Sequence, residues 1–222
     1  MSAPQVKIAV LISGSGSNLQ AFIDACSSGK LAAKICLVIS NKADAGGLKR
    51  ARDAGIETCI VDHRNYATRE EFDQALLDAL QPSAPDLIIL AGFMRILTPV
   101  FIGAYQGQLL NIHPSLLPTY PGLNTHQRAI DAGDQWAGAT VHFVTQELDG
   151  GPPILHARVA ITDADNAATL AGKVQVQEHL IYPLAAQWFA QGILQLDADG
   201  ARLQGKLLPP AGMAFDGHDQ LA

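Results

Sequence analysis

Charge is scarce in this chain. Asp, Glu, Lys and Arg together make up 16% of its 222 residues, and the net charge is −6. No basic excess exists to meet a polyanion, which argues against wholesale binding to nucleic acid or to an anionic membrane. A ligand with a single phosphate stays open, because a few backbone N–H groups hold one without a basic surface. Cysteine is also rare. Cys26, Cys36 and Cys59 form no CxxC pair, which excludes a disulfide framework and fits reduced thiols in a cytoplasmic protein. Long hydrophobic runs are missing: Ile8–Ile12 has the length of a strand, far short of a membrane span. The opening MSAPQVKIAVLIS lacks the regions of a signal peptide. With no repeat, low-complexity stretch or linker, the expectation is one domain over 1–222, its core about 7–210, followed by a loose C-terminal tail.

Apolar residues, in contrast, are plentiful at 48%, a globular composition. They come as short β-branched runs: KIAVLIS from Lys7, KICLVIS from Lys34, ETCIV from Glu57, DLIILAG from Asp86 and QLLNIH from Gln108. Helix-like stretches lie between them, at Asn18–Ser27, Gly47–Ala54, Thr68–Leu80 and Pro99–Tyr105. Strands that are apolar throughout suit a sheet covered on both faces, and their alternation with helices indicates βαβ units. The predicted class is therefore α/β, Rossmann-like, with a mostly parallel sheet flanked by helices. Right-handed crossovers place the strand C-termini along one edge, where ligands bind. After His113 the proline-rich PSLLPTYPGLNTH begins as a loop and becomes helical near Asn124. Strands ATVHFV from Ala139 and PILHARV from Pro153, a helix over Ala167–Ala190 and a hairpin around Asp199-Gly200 are expected beyond it.

Three motifs carry chemistry. The first strand ends in SGSGSN, Ser13–Asn18. Its glycines permit a sharp turn, and Ser17 or Asn18 can cap the following helix. A dinucleotide fingerprint needs glycine at position 19, where Leu19 stands, and the lysine of a P-loop is missing. The motif alone fits either a plain βα turn or a mononucleotide-type phosphate site. In NIHP, Asn111 and His113 lie two apart and project from the same strand face, and Pro114 ends the strand. This is either a polar strand end or an amide–imidazole pair able to stabilise an oxyanion and move a proton. ELDGGP, Glu147–Pro152, holds Asp149 in a tight loop. Asp149 either initiates the turn or orients an imidazole, and only the fold decides whether it reaches His113. His142 and His156 sit in apolar strands, while His63, His126, His179 and His218 show no metal-binding spacing, so no metal site is expected.

SGSGSN, SNKADA, AGFMRIL, NIHPSLLPTYPGLNTH, VHFV and ELDGGP occur in the order found in the formyl-folate transferase superfamily. YPGLNTH and the late VQVQEHLIYP resemble its purine-pathway branch, the glycinamide ribonucleotide formyltransferases. The resemblance covers roughly Lys7–Pro210; Asn124 and Pro153 depart from typical relatives at positions without chemistry. It implies that Gly16, Ser17 and Asn18 bind the substrate phosphate, with Glu178 near the ribose. Met94, Arg95, Ile96 and Leu97 would line the pterin pocket, largely through backbone groups, with Arg69 as an additional folate contact. Asn111 would touch the formyl oxygen, His113 would be the acid/base, and Asp149 would favour its imidazolium form. The implied substrates are glycinamide ribonucleotide and 10-formyltetrahydrofolate, without a metal, in a cytoplasmic monomer or homodimer. The alternatives are a formyltetrahydrofolate hydrolase, which uses the same trio and usually carries an extra N-terminal domain, and an idle sugar-phosphate-binding module.

Overall fold

The computed structural model describes residues 5–217. His218 and the last part of the expected tail lie outside the described residues. The chain divides into two compact units, the first running to Asn111 and the second starting at Ile112.

The first unit alternates strand and helix: β1 (Val6–Ile12), α1 (Ser17–Ser27), β2 (Ala33–Ser40), α2 (Gly46–Asp53), β3 (Thr58–Ile60), α3 (Arg69–Leu80), β4 (Leu87–Leu90), α4 (Pro99–Ala104) and β5 (Leu109–His113). Its strands lie in the order β3-β2-β1-β4-β5, and every pairing is parallel. The central strand β1 explains the apolar runs, since Ile8, Ala9, Val10, Leu11 and Ile12 are all fully buried. Helix α3 starts in a capping box, Thr68 with Glu71, and its first turn is acidic, which suits the positive end of the helix dipole. Helix α4 opens with Pro99, where a missing N–H goes unused. Because β1 and β4 run the same way, the SGSGSN turn and the segment after β4 leave the same edge of the sheet.

The second unit begins with the last two residues of β5, Ile112 and His113. It contains α5 (Thr125–Asp131), β6 (Trp136–Phe143), β7 (Pro153–Ala160), α6 (Ala167–Ala190), a small sheet of β8 (Leu194–Asp197), β9 (Gly200–Leu203) and β10 (Lys206–Leu207), and β11 (Met213–Ala214). Strands β6 and β7 are antiparallel, so the molecule's strand pairing is mostly, not wholly, parallel. Helix α6 starts at an Asn166–Thr169 capping box and packs Leu170, Val174, Ile181, Tyr182 and Trp188 out of water. Two expectations change. The stretch expected to be a loose tail holds β11, which pairs in parallel with the edge of β7, Met213 opposite Leu155 and Ala214 opposite His156. The Phe215 N–H donates to the His156 carbonyl at 2.8 Å, so an open strand edge has taken up the chain. And β6 starts at Trp136, three residues before the apolar run that announced it.

Candidate active site

The SGSGSN turn is built by glycine contact. Gly16 is the N-cap of α1, at φ 74°, in the left-handed region that glycine reaches without strain. A Cβ there would stand 2.6 Å from the Cα of Gly47, and the Gly47 N–H donates to the Gly14 carbonyl at 3.0 Å. The starts of α1 and α2 thus touch through two residues without side chains. This corrects the expected cap: Ser17 and Asn18 occupy the first turn of α1, and the cap position offers no side chain. The cap residue itself therefore covers the positive end of the α1 dipole with no side chain. Arg50 braces the turn from α2, its Nε donating to the Ser15 carbonyl at 2.9 Å.

The segment after β4 has a different character. Met94 is 65% exposed and Ile96 53%, while Leu97 is buried. Arg95, Ile96 and Leu97 make no hydrogen bond with any described residue, so three successive residues present unused main-chain donors and acceptors. Apolar side chains alternating with unused backbone groups can pack a flat heterocycle and read its edge. Arg69, the first residue of α3, is exposed.

His113 ends β5, two residues after the half-buried Asn111. Its ring is buried and lies between two oxygen acceptors. Nε2 is 2.9 Å from the Tyr120 carbonyl, and Nδ1 is 3.4 Å from Oδ2 of Asp149. The Asp149 side chain is mostly covered too, and its Oδ2 also accepts the Gly122 N–H at 2.9 Å. Its carboxylate therefore reaches across to the loop after β5 instead of closing its own turn. The glycines behind it make this possible: a Cβ on Gly151 would fall 1.8 Å from the Phe143 carbonyl oxygen, so only glycine lets the loop fold onto the end of β6. A second imidazole, His142, is buried in the same unit. Burial pushes its pKa down, against the opposing pull of the Phe143 carbonyl and of Asp149, which keeps it neutral beside the pair.

Sequence reasoning did not find the backbone partners, the Tyr120 carbonyl and the Gly122 N–H. Their signal was the YPG sequence, where Tyr120 and Gly122 adopt φ of 56° and 80° and so turn the chain back over His113. Glu178 is buried on α6. Among the described residues no group of three or more His, Cys, Asp or Glu is arranged to hold a metal ion, and no helix is long and apolar enough to cross a membrane.

The formyl transferase family model matches residues 6–186. The chain is 53% identical over 211 residues to phosphoribosylglycinamide formyltransferase of Escherichia coli, covering 95% of this chain and 100% of that one. It is 53% identical over 208 residues to the Haemophilus influenzae protein of the same name, covering 94% and 98%. The solved phosphoribosylglycinamide formyltransferase of Coxiella burnetii superposes with a TM-score of 0.92 at 48% identity, covering 96% of this chain and 100% of that chain. A fold of parallel βαβ units, a buried His–Asp pair at a strand end and likeness over nearly the whole length agree: the chain belongs to the formyl transferase family.

Proposed function

We propose that this protein transfers the formyl group of 10-formyltetrahydrofolate to the amine of glycinamide ribonucleotide, giving formylglycinamide ribonucleotide and tetrahydrofolate. Family membership supports formyl transfer from a folate, and the relatives' shared name supports the acceptor. The observation that carries the chemistry is the buried His113, 3.4 Å from the Asp149 carboxylate and two residues after Asn111.

The uncharged amine attacks the formyl carbon on N10 of the folate. A C–N bond forms, and the carbonyl electrons move to oxygen. Asn111 and the His113 imidazolium stabilise that oxyanion in a site shielded from water. The tetrahedral centre then collapses. The bond to N10 breaks, N10 takes up a proton from His113 directly or through one water, and the proton lost by the attacking amine restores the balance. Asp149, 3.4 Å from Nδ1, holds the ring in place. Because Nε2 is bonded to the Tyr120 carbonyl, the loop after His113 must release the ring before His113 can serve the substrate. The N-terminal turn of α1, Gly16 to Asn18, receives the phosphate. Glu178 takes the ribose side, and Met94–Leu97, with Arg69, takes the pterin side.

Replacing His113 by Ala, or Asn111 by Ala, is expected to slow turnover about a hundredfold or more, the scale of one positioned acid/base or oxyanion donor. Near-normal turnover by a folded His113→Ala protein removes it from the mechanism.

A further inference from the structure

Segment 94–97 is tied down at both ends by buried side chains that the proposed chemistry leaves unused. At its start, the Met94 N–H donates to Oγ of Ser13 at 2.8 Å. That hydroxyl in turn donates to Oδ1 of Asn41 at 2.6 Å. A hydroxyl has one proton, so the bond to Asn41 turns a lone pair towards Met94. Ser13 and Asn41 are both buried. At the other end, the Thr98 N–H donates to Oδ2 of Asp73 at 2.6 Å. Asp73 has no exposed surface at all. Its neighbour on α3, Phe72, stacks on Phe93 with ring centroids 6.4 Å apart and planes 14° from parallel. Helix α3 therefore grips the segment's flank at Phe93 and its exit at Thr98. Between the two anchors Arg95, Ile96 and Leu97 bond to no described residue.

A fully buried carboxylate is a costly way to hold one backbone N–H. Burial raises the Asp73 carboxyl above its ordinary range, and the Thr98 bond pulls it back. What the side chain provides is a buried acceptor, 2.6 Å from the Thr98 N–H, that fixes where the segment enters α4. A segment with unused main-chain groups loses conformational entropy when it orders around a ligand, and fixing its ends in advance reduces that loss.

We propose that Asp73 and Ser13 are positioning residues for the folate: they clamp the two ends of segment 94–97 so that its free backbone groups stand ready for the donor. The inference rests on the reading of 94–97 as the donor segment. It also gives Ser13 and Asn41, members of the SGSGSN and SNKADA motifs, a task that the phosphate does not supply.

The test measures the affinity of full-length variants for 5-formyltetrahydrofolate, a stable isomer of the donor, and for glycinamide ribonucleotide. Asp73→Ala and Ser13→Ala are expected to weaken the folate compound about tenfold or more, the scale of a lost buried hydrogen bond that leaves its partner unpaired. Asp73→Ala should leave ribonucleotide affinity within about twofold. In turnover it should raise the donor KM while kcat at saturating donor stays within about threefold, the mark of lost binding common to ground and transition states. Asp73→Asn keeps an acceptor for Thr98 and should restore most of the folate affinity; it also serves if Asp73→Ala does not fold. Ile96→Gly and Leu97→Gly test the underlying reading. If they weaken folate binding while Asp73→Ala and Ser13→Ala do not, the clamp is wrong and the reading stands. If Ile96→Gly and Leu97→Gly change nothing, the donor lies elsewhere and the reading fails with the clamp. An Asp73→Ala protein that loses both ligands equally also overturns the clamp, because the damage is then general.

Discussion

His113 has its two ring nitrogens committed in opposite directions, one to a carbonyl of its own loop and one to a carboxylate from a distant turn. The carbonyl can leave with the loop; Asp149 is held by the tight turn behind it. Asp149→Asn separates charge from shape. Asparagine still accepts from Gly122 but presents no charge to the ring. Turnover should fall about tenfold or more. Unchanged turnover would leave Asp149 as a turn residue. The spacing of Asn111 and His113 put both on one strand face, and that much was legible in NIHP. That Asp149 is aimed at His113 was not, because the two are brought together by packing at separations no local pattern encodes. The Tyr120 carbonyl was hidden for a related reason: it belongs to the backbone, and sequence patterns report side chains.

The elements that read most easily were those with continuous apolar runs. Strand β4 is buried from end to end, and β1 is fully buried from Ile8 to Ile12, because both faces of the sheet are covered there; α6 runs over the bounds expected for it. Strand β11 escaped because two residues carry no periodicity, and its pairing partner is a strand edge far away in sequence. The start of β6 escaped because Gly138 looks like a break; in the structure a Cβ there would lie 2.0 Å from the Ala157 carbonyl oxygen, so the glycine lets β7 come close. The cap of α1 was misplaced because Ser17 and Asn18 are good caps by type, while the glycine contact between α1 and α2 fixes the helix start at Gly16. Gly151 is the sharpest test at this scale. Gly151→Ala forces a methyl group against the Phe143 carbonyl, and the loop must move at a cost of about 1–3 kcal/mol or more. For a chain of this size that is a fall in Tm of about 2–4 °C for each kcal/mol. Gly14→Ala, with nothing within 4 Å of its Cβ, should melt close to the parent. Equal melting of the two variants would mean that the DGGP loop is not packed as described.

At the scale of the molecule the proposed roles are divided. The first unit holds the phosphate turn and the donor segment, the second holds His113, Asp149 and Glu178, and the family model runs through both. The α/β class and the order of most elements were legible because alternating strands and helices leave few topologies. The acceptor was not legible from physical patterning: nothing in charge or periodicity distinguishes an amine from water as the group that receives the formyl. The most direct measurement is therefore the release of tetrahydrofolate from 10-formyltetrahydrofolate with and without glycinamide ribonucleotide. The account predicts release that depends on the ribonucleotide and matches formylglycinamide ribonucleotide one for one. Release at the same rate without the ribonucleotide, with formate as the product, would contradict it and make the protein a hydrolase.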